Sequence, residues 1–221
     1  MNRAIIFILL SLIVISCSKS ININSNKILP ILESGTDSTY KRKYFPNPNK
    51  SLYVIQASYC NAPIEVFVYY HDIDKKNVSE IKTYMIKKIY GHYFAFYHNG
   101  NLRQYCYYVG NGNNISYTRE YTIDGKLEYE KGNPFVDYIN DGKKNIELYF
   151  STTFYDSLSV EISSSRNRVF QNLQLRKSSM QPMLLDCRLP ITDSTLFLKI
   201  VAITNNPKET KIYNDTLNIE K

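Results

Sequence analysis

The chain has 221 residues, 43% of them hydrophobic, and carries 27 Lys and Arg against 20 Asp and Glu, a net charge of +7. That length makes one large or two small domains with enough apolar content for a core. The charge does not mark a nucleic-acid surface, because it is local: residues 17–50 hold six bases and two acids, 51–132 nine and eight, and 133–221 eleven and ten.

The N-terminus reads Met1-Asn2-Arg3 and is then apolar from Ala4 to Ile15. One positive charge and a short apolar run make the n- and h-regions of a secretory signal. Twelve residues cover only about 18 Å as a helix, well short of the roughly 30 Å core of a bilayer. The run ends at Val14-Ile15-Ser16-Cys17. An aliphatic residue three before a cysteine, with a small residue just before it, resembles the lipobox of bacterial lipoproteins. The resemblance implies that residues 1–16 are a signal peptide, that Cys17 is the lipid attachment site, and that the membrane is a partner through that lipid. Ser18 is not the aspartate of inner-membrane retention. Ser20 and Ile21 stand where Bacteroidetes-like surface-export signals carry acids. The implied address is the outer membrane, facing the periplasm.

Residues 17–50 are rich in Ser, Asn, Lys, Thr and Pro and read as a flexible basic tether with a span of roughly 30 Å. Its one apolar break is ILPIL, 28–32, which reads either as a short docking strand or as no element at all. Its bases suit an anionic membrane surface.

Residues 51–132 hold 14 of the 20 Tyr. LYVIQASY (52–59) and IEVFVYY (64–70) are β-rich runs parted by a turn signal. The acids of His71-Asp72-Ile73-Asp74 lack the other oxygen ligands of a calcium loop. For residues 77–90 the local signals leave helix and strand both open: Asn77 and Glu80 imitate a capping box, while Tyr84–Tyr90 suits a strand. Asn99-Gly100 and Asp124-Gly125 lie 25 residues apart. Phe96 and Tyr121 precede them and Leu102 and Leu127 follow at matching positions. Such dipeptides favour hairpin turns with positive φ. Gly91, Tyr93, Phe96, Tyr97, Gly100 and Leu102 form one full copy of a pattern similar to bacterial MORN-like repeats. A second copy keeps Tyr121, Gly125 and Leu127. The resemblance implies an antiparallel MORN-like β-meander that serves as a scaffold. Some bacterial examples resemble antidotes that bind and inhibit a toxin.

Residues 133–221 alternate cleanly. NIELYF puts Ile146, Leu148 and Phe150 on one face. LSVEIS does so with Leu158, Val160 and Ile162, and RVFQNLQLR with Val169, Leu173 and Leu175. PMLLDCRLPI, TLFLKIVAI and KIYNDTLNIE complete six strands, with TLFLKIVAI apolar on both faces as a central strand would be. The rhythm resembles a small Ig-like β-sandwich, without the Cys…Trp…Cys pattern, since Trp is absent.

No nucleophile elbow, zinc-protease motif or P-loop occurs. Ser38-x-x-Lys41 lies in the tether. His92 and His98 share a strand face but are too far apart for one metal. Glu128 and Glu130 read as surface. Cys60, Cys106 and Cys187 remain after lipidation, an odd number, so at least one lacks a partner within the chain; any pairing is open. The sequence thus predicts an all-β envelope lipoprotein that acts as a non-catalytic binding or scaffolding module. No cofactor or metal is expected, and the partner is a protein or a glycan. The alternative is an antidote-type protein.

Overall fold

The computed structural model describes residues 24–34, 43–45, 52–59, 62–71, 77–85, 88–110, 114–140, 145–177, 183–191, 193–205 and 208–219. Apart from one helix, α1 (Ser25–Ser34), every regular element among them is a strand. The all-β, antiparallel architecture expected from the sequence is the one the chain adopts. Cys17, Cys60, Asp72, Asp74, Ser38 and Lys41 lie outside the described residues.

Eight strands form the first sheet: β1 (Lys43–Phe45), β2 (Leu52–Tyr59), β3 (Ala62–Tyr70), β4 (Val78–Met85), β5 (Lys88–Phe96), β6 (Leu102–Val109), β7 (Asn114–Tyr121) and β8 (Leu127–Gly132). Each pairs antiparallel with the next in sequence, a meander. The stretch left open between helix and strand becomes β4 and β5, where β3 and β6 offer ladder partners on both sides. Tertiary pairing outweighs the local capping signal. Gly91 has φ +87° within β5 and caps no helix.

The register lines up Ile81, Phe94, Tyr105, Arg119 and Glu130 across five strands on one face. Phe94 and Tyr105 are fully buried there. A buried aromatic of this kind contributes about 1.5–3 kcal/mol over leaving it exposed. The opposite face carries the row Phe67, Lys82, Tyr93, Cys106, Thr118 and Lys131.

The two turns 25 residues apart have the same geometry. Gly100 N donates to Tyr97 O and Tyr97 N to Asn101 O; Gly125 N donates to Thr122 O and Thr122 N to Lys126 O. Gly100 and Gly125 sit at φ +82° and +85°. This is a three-residue hairpin loop, a turn closed by a left-handed glycine. The register shifts one residue before each turn, between Ala95 and Phe96 and between Glu120 and Tyr121.

Gly132 ends β8 at φ +85°, where a Cβ would come 2.1 Å from the Ser116 carbonyl oxygen. Neither the conformation nor the space admits a side chain. Gly132→Ala is expected to cost about 1–3 kcal/mol by forcing β8 from β7. A thermal or urea melt checks it, and an unchanged midpoint would contradict the close approach.

Helix α1 corrects the reading of residues 25–34 as tether and of ILPIL as a strand or no element. Asn24 caps the helix, its Oδ1 accepting from Asn26 N at 3.0 Å. Ser25 N donates to Gly100 O at 3.2 Å, so the helix starts on the first glycine turn. Ile28, at 3% exposure, enters the meander core. Pro30 lies within the helix.

Two four-stranded antiparallel sheets follow. One has the order β13 (Arg176–Lys177), β14 (Leu184–Pro190), β10 (Asn145–Ser151), β9 (Phe135–Asn140). The other has β12 (Gln171–Asn172), β11 (Ser157–Ser164), β15 (Thr195–Asn205), β16 (Lys208–Asn218). Ile146, Leu148, Phe150, Val160, Leu198 and Ile200 fill the space between them, as alternation predicted for β10 and β11. RVFQNLQLR is not one strand. It pairs with the second sheet at 171–172 and with the first at 176–177, crossing between them. Leu173 and Leu175 pack against the core, whereas Val169 is 68% exposed.

The sheet boundary falls between Gly132 and Phe135, yet the two parts share a core. Phe94, Tyr105 and Tyr117 of the meander cluster with Phe154, Tyr155, Tyr149, Val136, Leu184 and Ala202. No helix of the described residues is long and apolar enough to cross a membrane.

Candidate functional site

Two features stand out: a buried charge network at the junction and an open aromatic face on the far side of the meander. Arg119 on β7 is buried at 4% exposure. Its Nε and Nη2 donate to Glu130 Oε1 at 2.8 and 2.6 Å, and Nη2 donates to the Tyr155 hydroxyl at 2.6 Å. Its guanidinium lies 4.3 Å from the centre of the Phe154 ring. Glu130 Oε1 accepts from Tyr117 at 2.8 Å and Tyr213 at 3.2 Å, and Oε2 from Lys211 Nζ at 2.7 Å. The Tyr155 hydroxyl meets those of Tyr117 and Tyr213 at 2.9 and 2.6 Å.

This network joins β7 and β8 to the 152–156 loop and to β16. Three further bonds cross the junction: Tyr90 to Asp137 at 2.7 Å, Tyr105 with Ser151 at 3.1 Å and Asn133 to Asp215 at 2.7 Å. Burial pushes the Tyr117 and Tyr155 hydroxyls up, so both stay protonated. The cluster is internally satisfied and acts as a cross-link.

Burial alone would raise the Glu130 carboxyl, but Arg119 and the bonds from Lys211, Arg119 and Tyr117 outweigh it and hold it at about 2, from an ordinary 4.5. A depressed carboxylate stabilises the fold fully above its unfolded value and loses that contribution as pH falls through the folded one. Stability is therefore expected to drop between pH 4.5 and about 2 through this group. Asp137 runs the other way, raised by burial. The check is the difference between urea midpoints of the parent and Glu130→Gln across that range. It should shrink as pH falls, and a constant difference would contradict the pairing.

The outer face of the meander is open. It carries half-exposed Tyr69, Tyr84, Tyr93 and Tyr108, with Tyr129 at 46% exposure. Lys82 Nζ sits 5.1 Å from the Tyr69 ring centre and 5.7 Å from that of Tyr93, and pairs with Glu80 at 2.8 Å. Tyr93 donates to Glu80 at 3.2 Å and stacks edge-on to Tyr108 at 6.1 Å. Gln104 donates to Glu120 at 3.1 Å. The result is a wide platform of aromatic rings on which Glu80 is tied to Lys82 and Tyr93, and Gln104 to Glu120.

Comparison with protein-family models, with curated proteins and with solved structures returns no match to this chain.

The histidines separate differently from the sequence reading. His92 is buried, with Nδ1 3.0 Å from the Tyr105 hydroxyl, whereas His98 lies in the turn. The shift between Ala95 and Phe96 breaks the shared face. His98 instead stacks on His71, ring centres 3.9 Å apart, and His71 Nε2 lies 3.1 Å from Phe96 O. Cys106 and Cys187 are free and buried, in different sheets. Cys106 contacts Thr118 Oγ1 at 3.3 Å, and burial pushes the Cys187 thiol up to about 12. Glu128 is exposed as expected, but Glu130 belongs to the junction. Arg119, Lys211, Tyr155 and Tyr213 were not singled out from the sequence. A signal existed for one: Tyr117, Arg119 and Tyr121 alternate in NISYTREY, which places the arginine among buried aromatics.

Proposed function

We propose that this chain is a lipid-anchored envelope protein, held at the outer membrane on the periplasmic side through Cys17, and that it works as a non-catalytic binding module. The observation that carries the reading is the open outer face of the meander, which carries Tyr69, Tyr84, Tyr93, Tyr108 and Tyr129, with Lys82 over the rings of Tyr69 and Tyr93. Tyr rings give large, rigid contact area at small entropic cost and are enriched at interfaces. The mixture of Tyr with Lys82, Arg103, Gln104 and Glu120 suits a protein partner better than a charged polymer. The repeated glycine turns support the likeness to MORN-like scaffolds, and the two facing four-stranded sheets support an Ig-like rhythm.

Two experiments test it. For the anchor, Cys17→Ser should abolish palmitate labelling and release the protein from membranes; a labelled, membrane-bound variant would overturn it. For the binding face, a photo-crosslinking residue at position 129 should yield a discrete adduct in cells. The adduct should disappear in the Tyr93→Ala/Tyr108→Ala variant. An adduct of equal yield in that variant would remove the face from consideration.

A further inference from the structure

Strand β16 is an open edge. It ends the order β12-β11-β15-β16, and among the described residues β15 is the only strand that pairs with it. The ladder between them runs through all eleven residues of β16 without a register shift. The bonds around it tell which backbone groups face outward. Thr195 O accepts from Ser165 N at 3.3 Å and Ile203 O from Asp156 N at 2.9 Å, so the odd-numbered residues of β15 turn their amides and carbonyls to the β11 side. Their partners on β16 turn away from β15. These are Lys208, Thr210, Ile212, Asn214, Thr216 and Asn218, and every one of them is exposed. Ile219, next in the chain, turns the other way and donates to Ser194 O at 2.8 Å.

An exposed edge is a template for another strand, and proteins blunt such edges by shortness, bulges, prolines or charges. The other edges are blunted in these ways. β9 has six residues and pairs through a register shift between Tyr149 and Phe150. β8 also has six, pairs through a shift between Glu120 and Tyr121, and carries Glu128, Glu130 and Lys131. β1 has three residues, and β12 and β13 have two each. β16 has eleven, with no proline and no bulge. Of its outward-facing residues only Lys208 is charged, and Thr210, Ile212 and Thr216 are β-branched, as a strand favours. One outward donor is already engaged: Thr216 N bonds to Asp215 Oδ1 at 2.7 Å.

The strand that fits this edge best is its own copy. We propose that β16 pairs antiparallel with β16 of a second copy, about a two-fold axis through Tyr213, joining two four-stranded sheets into one. Tyr213 is the midpoint of Lys208–Asn218, so this register alone uses the whole strand. It sets Lys208 against Asn218 of the second copy, Thr210 against Thr216 and Ile212 against Asn214, all of them outward-facing, so each pair exchanges two backbone bonds. Between them it sets Lys211 against Asp215 of the second copy, twice by symmetry, and no like charges meet. Lys211 also holds Glu130 at 2.7 Å, and Asp215 also accepts from Asn133 at 2.7 Å. Pairing exchanges the Asp215–Thr216 N bond for a ladder bond and a cation. Neighbouring registers are worse. Centred on Ile212, the axis sets Glu209 against Asp215; centred on Lys211, it sets that lysine against itself; centred on Asn214, it leaves Lys208 and Glu209 unpaired. The dimer is independent of whatever partner the tyrosine face takes.

The test uses the full-length chain in excess detergent. Sedimentation equilibrium should show a monomer–dimer equilibrium with a Kd of about 100 µM or tighter. Amide exchange at Thr210, Ile212, Asn214 and Asn218 should slow as concentration rises. Two variants address the edge without touching the ladder to β15. Asn214→Pro removes an outward N–H, which an edge strand tolerates, and Ile212→Lys adds the charge that edges use against pairing. Each should weaken the dimer about tenfold or more, and an unchanged melting temperature shows that the variant is folded. Register is read by disulfide trapping. In a mixture of Ile212→Cys and Asn214→Cys chains the mixed dimer should dominate, because those Cα atoms lie about 5.5 Å apart across the axis whereas like positions lie roughly 8–9 Å apart, beyond disulfide reach. Three results would overturn the proposal: a monomer at all concentrations up to about 500 µM, a dimer that neither variant weakens, or self-linked dimers in equal or greater yield than the mixed one.

Discussion

Replacing Arg119 with Leu is expected to destabilise the protein by about 3–5 kcal/mol, the cost of removing one partner of a buried ion pair. The guanidinium supplies two bonds to Glu130 and one to Tyr155 and lies over Phe154. Its loss leaves a carboxylate facing inward with only Lys211, Tyr117 and Tyr213 as donors. Lysine does not repair it, because a single ammonium cannot cover Glu130, Tyr155 and the Phe154 ring together. The double variant Arg119→Met/Glu130→Leu is expected to lose less than Arg119→Leu alone, since it strands no charge. Urea denaturation of the three proteins checks this. A loss below about 1 kcal/mol for Arg119→Leu would mean that the pair is solvated and contributes as a surface pair does.

Phe154→Ala is expected to cost about 3–5 kcal/mol as well. The ring is 3% exposed and sits edge-on to Tyr105 at 4.9 Å and to Tyr117 at 6.1 Å. It belongs to the loop between β10 and β11 but fills the meander core, so its removal opens a cavity in the shared cluster. The consequence is cooperative. Amide-exchange protection in β6 and in β15 should fall by the same amount, because both rest on the one core. Protection that falls in β6 alone would show two independently folding units. Arg119 and Phe154 touch, so their effects will not add.

These two residues mark where the sequence stops being legible. Alternation in NIELYF and LSVEIS names the sandwich core because each apolar residue there obeys a period of two within its own strand. The Asn-Gly and Asp-Gly turns are equally local, since the glycine conformation follows from two adjacent residues. The junction obeys no local rule. Tyr117 meets Tyr155 from 38 positions away and Glu130 meets Lys211 from 81. A charged residue such as Arg119 reads as surface until its partners are known. RVFQNLQLR failed for a related reason: its alternation was real, but the segment changes sheets midway, which only the two partner strands decide. ILPIL failed because a short apolar run with a proline has no preferred period of its own. Its fate was set by the turn at Gly100, some 70 residues on.

The docking of α1 on that turn shortens the stretch that would join the folded body to the proposed lipid on Cys17. A chain free until residue 50 would let the body roam; a helix capped at Asn24 leaves seven residues after Cys17. Fully extended, those residues span at most about 25 Å. With the proposed lipid on Cys17, the hairpin end of the meander would be confined to a layer about as deep as a small domain is wide. A partner would then have to reach that layer, and altering the length of this stretch would change which partners meet it without touching a single contact surface.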